Sequence, residues 1–200
     1  MPAVMEPPTK TAPLEAEPPQ TMTVEEFLEL PDDDGVDREL IRGVLKERPM
    51  TMRARTHFFT ESKIVSRLDQ HIEEAEIDAL VGSGEAGVVF DEQHSGVGID
   101  VVVVAKSLVA EQDERTRMLF GVPLMTVEIL SESDKVGEVY DKVQLYLEAG
   151  VKLAWVADPR QKTITAYRAG EPPKFFSGED VVDAEPVLPG FGVEVGRLFA

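Results

Sequence analysis

The chain has 200 residues, 42% of them apolar, enough for one domain with a substantial core. The absence of cysteine excludes disulfides, thiolate zinc sites and cysteine nucleophiles. No apolar run approaches the roughly 18 residues of a membrane span, and no basic-then-apolar leader opens the chain, so a cytoplasmic protein with no membrane partner is expected. A net charge of −18 sets most of the surface against a polyanion.

Residues 1–20, rich in Pro, Glu, Thr and Ala without an apolar period, read as a disordered tail, leaving 21–200 for the domain. Thr23 and Glu26 form a capping-box pattern ahead of a short helix with Phe27, Leu28 and Leu30 on its apolar side, stopped by Pro31. Asp32, Asp33, Asp34 and Gly35 form a loop whose acids are expected to be solvated. From Arg38 to Lys46 the pattern predicts a hairpin turning at Arg42-Gly43. This segment opens a basic stretch: residues 38–67 hold eight Lys and Arg against three Glu, a local +5, whereas residues 68–134 hold fifteen acids against three bases, a local −12. The basic stretch is where a polyanion would approach, if its charges do more than balance acidic neighbours.

A helix is predicted over 54–75, with Phe58, Ile64, Val65, Leu68 and Ile72 near helical spacing. Strands are predicted near 78–82, 86–91, 99–104 and 122–130, with a short helix within 107–117. Gly82 to Gly87 match G-x-G-x-x-G, but the strand-like Val88-Val89-Phe90 follows where a dinucleotide site needs a helix, so a glycine-rich turn between strands is expected. A helix over 134–149, capped by Ser131 or Ser133 and ended by Gly150, would bury Val136, Val139, Tyr140, Val143 and Leu147. Strands over 151–157 and 163–168 follow, and Leu188, Phe191, Leu198 and Phe199 should pack back onto the core from an irregular C-terminal part. Strands, then a helix and a strand again, indicate an α/β architecture with a mixed sheet.

His57, His71 and His94 lack zinc-motif spacing and are expected as surface or packing residues, and no G-x-S-x-G elbow is present. Asp100 and Glu128 stand out because each interrupts a run of β-favouring apolar residues, where a charge is costly unless paired, protonated or metal-bound. On adjacent strands the two would lie close, and a hard divalent cation such as Mg²⁺ would relieve their repulsion and activate a water for attack on a phosphodiester. The alternative is a pair of strand-end charges that reach solvent or pair with Arg or Lys. Lys135 or Lys142, on the following helix, would lean back over Glu128 to orient the water or stabilise the phosphate. Glu39 is a third acid framed by apolar residues, otherwise an ordinary edge-strand charge.

Taken in order, Arg38-Glu39-Leu40-Ile41-Arg42-Gly43, His57 opening a helix, Ile99-Asp100-Val101, Val127-Glu128-Ile129-Leu130-Ser131, Lys142 with Tyr146, Ala149-Gly150-Val151 and Trp155-Val156-Ala157-Asp158-Pro159 resemble the bacterial Uma-two family. That family is classed with restriction endonucleases in the PD-(D/E)XK nuclease superfamily, and the resemblance spans roughly residues 22–199. It implies a restriction-endonuclease-like core, a central mixed sheet flanked by helices. It further implies Asp100 and Glu128 as metal-binding acids, Glu39 as an additional ligand or water-orienting group, and the Ile129 carbonyl in the inner shell. The lysine two residues after the acid is replaced by Leu130, and Lys142 takes its place. Ile99 replaces the proline before the aspartate, Arg38 the aromatic residue before Glu39, and Glu132 the proline after Ser131.

The expectation is a Mg²⁺- or Mn²⁺-dependent DNA endonuclease, with DNA reaching it through segment 38–67. A homodimer would suit cleavage of both strands, although no interface is legible in the residues. The competing expectations are a non-catalytic binding or assembly module that keeps the fold, and a hydrolase of another phosphoester.

Overall fold

The computed structural model describes residues 21–31, 35–113, 115–132 and 134–199. The tail expected over 1–20, the acids Asp32, Asp33 and Asp34, and Ser133 lie outside them. The first helix, α1 (Val24–Leu28), carries the expected reciprocal cap: Glu26 N–H donates to Thr23 Oγ1 at 3.2 Å and Thr23 N–H donates to Glu26 Oε2 at 2.9 Å. Strands β1 (Val36–Ile41) and β2 (Val44–Pro49) form the predicted hairpin. Its two-residue turn needs positive φ at both positions, and Arg42 and Gly43 adopt 52° and 77°.

Helix α2 (Arg55–Glu74) buries His57, Thr60, Ile64, Leu68 and Ile72, a face with steps of three and four. Phe58, expected in the core, falls one position out of this phase and is exposed. The chain then forms one long strand, β3 (Ala79–Phe90), where two strands and a glycine-rich turn were expected. Gly84 and Glu85, at φ of 80° and 59°, form a bulge rather than a turn, and β3 runs antiparallel to β4 (Ser95–Ala105) on both sides of it.

After α3 (Lys106–Ala110), shorter than expected, come β5 (Leu119–Phe120), β6 (Met125–Ile129), α4 (Val136–Ala149), β7 (Leu153–Asp158) and β8 (Thr163–Tyr167). The C-terminal part is more regular than expected, with β9 (Lys174–Ser177), β10 (Val181–Asp183) and β11 (Gly192–Glu194). The main sheet has the order β2-β1-β4-β6-β7-β8-β9, with β3 on β4 and β5 on β3. It is mixed: β6 and β7 are parallel, joined across α4, while β4 and β6 are antiparallel.

Helix α2 covers one face, where Ile64, Leu68 and Ile72 pack on Val101, Val103, Val127 and Trp155. Leu188, Phe191, Leu198 and Phe199 join the same cluster, as expected. The other face lies under α4, whose Leu145 and Tyr146 pack with Val102 and Val104. Helix α4 is rotated from its predicted phase. It buries Lys142, Val143, Leu145 and Tyr146, while Val136 and Tyr140 stay exposed. The apolar pattern misplaced this face because a lysine is drawn inward by acids on the sheet. Lys135 occupies the N-cap position without a side-chain cap bond, so Ser131 does not cap the helix, and Gly150 ends it at φ 105°.

Candidate active site

The site grows from a fork in the sheet. One edge of β4 carries β3 along its length. The other edge is shared: β1 meets it at Leu40–Gly96, and β6 from Val101–Val127 to Val103–Met125. One more step of that register would set Asp100 opposite Glu128, but the ladder stops short. Ile129 N–H donates instead to Asp100 Oδ2 at 2.7 Å. Across the other edge, the Gly84-Glu85 bulge falls between the pairs Ser83–Val101 and Ala86–Ile99, facing Asp100. Alternation along β4 breaks here as well: Val97 and Ile99 cluster with Val102 and Val104, while Val101 and Val103 face the opposite layer. Bulges re-aim side chains and interrupt pairing, and both effects meet at Asp100.

All four predicted side chains come together at the fork, and all are buried: Glu39, Asp100, Glu128 and Lys142. The Lys142 ammonium lies 2.9 Å from Glu39 Oε1 and 3.0 Å from Glu128 Oε1, and donates to the Gly98 carbonyl at 2.8 Å. Gly98 belongs to the stretch of β4 that β1 and β6 leave unpaired, so the lysine satisfies an orphaned backbone acceptor as well as two acids. Arg48 holds the other oxygen of Glu39 at 2.7 Å. The Tyr146 hydroxyl donates to Glu128 Oε1 at 2.5 Å. Asp100 has its own cation, Arg53, with Nη1 2.9 Å from Oδ1, and His57 Nε2 lies 3.4 Å from Oδ2. Arg53 is shared with Glu85.

These surroundings push the two central acids apart. Burial raises Asp100, but the His57 contact, the Arg53 charge and the Ile129 N–H outweigh it and hold the carboxyl below its usual range. Burial pushes Glu128 up to about 7, with the neighbouring Asp100 charge adding to the rise and Lys142 and Tyr146 opposing it. Burial disfavours the Lys142 ammonium, yet Glu128 and Glu39 raise its pKa above the ordinary lysine value. The Tyr146 phenol is driven up by burial and by Glu128.

Of the alternatives open in the sequence, Lys142 enters the site, whereas Lys135 points to solvent and pairs with Glu138. Four further residues join: His57, Arg53, Arg48 and Tyr146. His57 was expected on the surface or in packing, yet its place seven residues before Ile64 and eleven before Leu68 puts it on the buried face of α2. Tyr146, one turn after Lys142, follows from the inward phase of α4. Arg48, in β2, reaches Glu39 diagonally across the hairpin, two positions past the Glu39–Lys46 pair that the Arg42-Gly43 turn sets, whereas nothing in the sequence pairs Arg53 with Asp100, since Arg53 lies in the loop before α2.

The donor set suits a hard cation. Among the described residues no group of three or more His, Asp or Glu side chains stands ready to hold a metal ion. Asp100 and Glu128 alone match the one or two carboxylates through which Mg²⁺ is usually held, the rest being water. The Lys142 and Tyr146 contacts of Glu128 both fall on Oε1, so Oε2 has no hydrogen bond to the described residues. A buried carboxylate with one open oxygen fits a divalent ion. Glu39 differs, since both its oxygens are engaged by cations.

Among the described residues no helix is long and apolar enough to cross a membrane. The crystal structure of a "putative nuclease belonging to DUF820" from Anabaena variabilis ATCC 29413 superposes with a TM-score of 0.76 at 22% identity, covering 88% of this chain and 97% of that one. The likeness shows the same mixed-sheet fold. No curated protein matches the chain. A family model, Uma2, described as "Putative restriction endonuclease", matches residues 24–196. The chain therefore belongs to the Uma2 family.

Proposed function

We propose that this chain is a metal-dependent endonuclease that hydrolyses phosphodiester bonds of DNA with Mg²⁺ or Mn²⁺. The observation that carries the reading is the placement of Asp100 and Glu128 at the fork, one residue beyond the last β4–β6 pair, with a buried lysine on one of them. Asp100, Glu128 and the Ile129 carbonyl would hold the ion. Bound there, it would supply Lewis-acid polarisation of the phosphate and a more acidic water. Lys142 keeps a positive charge at the fork, where it opposes the negative charge that develops on phosphate oxygens. Glu39 enters through Lys142, whose ammonium it holds; as a ligand it would first have to release Lys142 or Arg48. Tyr146 fixes Glu128, and His57 and Arg53 fix Asp100.

Membership of a family described as "Putative restriction endonuclease" supports DNA as the substrate; within the basic stretch 38–67, Arg38, Arg42, Arg48 and Arg53 balance acidic neighbours, which leaves Arg55 at the start of α2 as the cation beside the site to meet it. Supercoiled plasmid incubated with the pure chain and Mn²⁺ tests the reading. Cleavage is expected, absent in EDTA and lost in Asp100→Asn and Glu128→Gln; cleavage that survives either substitution refutes the site. Paired sites in a homodimer would linearise the plasmid, whereas a lone site nicks it.

One observation favours a second reading, a non-catalytic binding module of the same fold: Arg53 and Lys142 already lie on Asp100 and Glu128 without a metal. No cleavage and no thermal stabilisation by Mn²⁺ would select it.

A further inference from the structure

The rim beside the fork carries large apolar side chains that the protein leaves uncovered. Phe58 and Phe59, in the first turns of α2, are 47% and 44% exposed, with ring centroids 4.5 Å apart. Met50 and Met52, in the loop that leads into α2, are exposed as well. The residue next to Phe58 is His57, buried against Asp100, so this patch begins where the site begins. Scattered exposed apolar residues need no explanation, but Phe58 and Phe59 lie ring against ring beside a buried residue of the site, with two exposed methionines a few positions before them in the chain.

The same segment is cationic. Lys46, Arg48, Arg53 and Arg55 stand against Glu47 within residues 46–59, in a chain of net charge −18; Arg48 is held by Glu39 and Arg53 by Asp100 and Glu85, so the cation at the start of α2 that faces outward is Arg55. The nearby acids are occupied: Glu47 with Arg38, Glu85 with Arg53, and Glu61 accepting from Gly84 N–H. Arg55 is exposed and has no acidic partner among the described residues. Helix α2 also starts without a side-chain cap and without an acid in its first turn, so the positive end of its dipole is not offset.

We infer that this rim binds DNA through unpaired bases, with Phe58 and Phe59 stacking on bases that have left the duplex while Arg55 contacts the phosphates. The inference rests on the nuclease reading and adds the form of the substrate. An intact duplex offers base edges and phosphates, to which a benzyl side chain adds little. An unpaired base offers a π-face, and stacking platforms set in basic grooves are how single strands are held. A second copy of the chain on this rim would set two cationic segments against one another across a two-fold axis, which opposes association.

Binding separates this inference from the nuclease reading, because it can be measured in EDTA without cleavage. Fluorescence anisotropy of the wild-type chain is titrated against a labelled single-stranded oligonucleotide and against its duplex. The single strand is expected to bind about tenfold tighter or more, and Phe58→Leu/Phe59→Leu to lose about tenfold or more of that affinity. Leucine keeps the apolar bulk and removes the π-face, and both positions are exposed, so an unchanged melting temperature verifies the fold. Arg55→Ala is expected to weaken both forms and reduce the salt slope by about one. Equal affinity for the two forms, or an unchanged single-strand affinity in the leucine variant, overturns the inference. A fall in sedimentation mass in that variant with DNA affinity unchanged assigns the patch to a contact between copies and overturns it too. Single-strand binding through the rim by a chain that never cuts would uphold the rim and fail the nuclease reading; cleavage with an inert rim would do the reverse.

Discussion

Asp100 and Glu128 would be opposite partners in the β4–β6 ladder, yet the ladder ends at Val101–Val127 and the acids occupy the gap. Their surroundings sort them by proton affinity. Asp100 receives an arginine, a histidine and a backbone N–H, and is held ionised. At Glu128 burial outweighs Lys142 and Tyr146, and the carboxyl is pushed up to about 7. Divergent proton affinities in neighbouring acids suit the divided roles proposed for them.

Metal addition should stabilise the folded chain above pH 7, where Glu128 and Asp100 are both ionised at the fork. An ion bound only to the folded state adds about 2.7 kcal/mol at one hundred times its Kd. The melting temperature of the wild-type chain is expected to rise with millimolar Mn²⁺, and Asp100→Asn or Glu128→Gln to cancel the rise. Scanning fluorimetry at pH 8 checks both, and a rise of equal size in either variant would remove that acid from the ligand set.

Glu128 also sets a pH dependence of stability. Its folded pKa, about 7, lies above the ordinary glutamate value of 4.5, so the folded state binds more protons between them. Stability from this group is therefore fully present below pH 4.5 and is lost as pH rises through about 7. Asp100 acts in the opposite sense: its contribution is present above its ordinary value of 3.8 and is lost as pH falls through its lowered folded value. Glu128→Gln should remove the decline between pH 4.5 and about 7, which amounts to roughly 3 kcal/mol in the wild-type chain. Urea denaturation across this range measures it, and an unchanged slope in the variant would place the titrating group elsewhere.

Much of this arrangement was legible in the residues because burial of a charge is itself a signal. Asp100 and Glu128 interrupt apolar runs, and the ordered motifs added Glu39 and Lys142. The hairpin turn and the cap of α1 were also legible, since Arg42-Gly43 and Thr23 with Glu26 act locally. The bulge at Gly84-Glu85 was not, because glycines mark a bulge and a turn alike, and only pairing with β4 decides between them. The phase of α4 was misplaced because its apolar residues cover more than one side, and the acids on the sheet fix which side turns inward. Arg53 acts from the loop before α2, where sequence spacing carries no information about contact, whereas the place of Arg48 beside Glu39 follows from the hairpin register.

Lys142 should be indispensable to the folded site at neutral pH and less so in acid. Lys142→Met removes the only cation within salt-bridge distance of Glu128 among the described residues, and leaves Glu39 with Arg48 alone. Stranding a buried charge costs about 3–5 kcal/mol. The loss is expected at pH 8 and should shrink toward pH 5, where Glu128 is protonated. Denaturation at the two pH values checks it, and a loss of equal size at both would mean that Lys142 supports packing rather than charge.

Gly96 ties the fork to the N-terminal helix. It is the one residue of β4 paired with β1, the strand that carries Glu39. A Cβ built at Gly96 would lie 2.7 Å from Phe27 Cε1 and 3.0 Å from Cδ1, so alanine forces either the ring or α1 outward. Overpacking of this kind costs about 1–3 kcal/mol. Gly96→Ala is expected to lower stability by that amount, and Phe27→Leu on the same background to recover part of it by withdrawing the ring edge. The recovery separates a steric clash from a backbone requirement, because φ at Gly96 is not in the left-handed region. If the double variant is no more stable than Gly96→Ala alone, the cost comes from the Leu40–Gly96 pairing itself. The Lys142 contact with Glu39 should then weaken with it, seen as a downward shift of the Lys142 ammonium pKa by NMR.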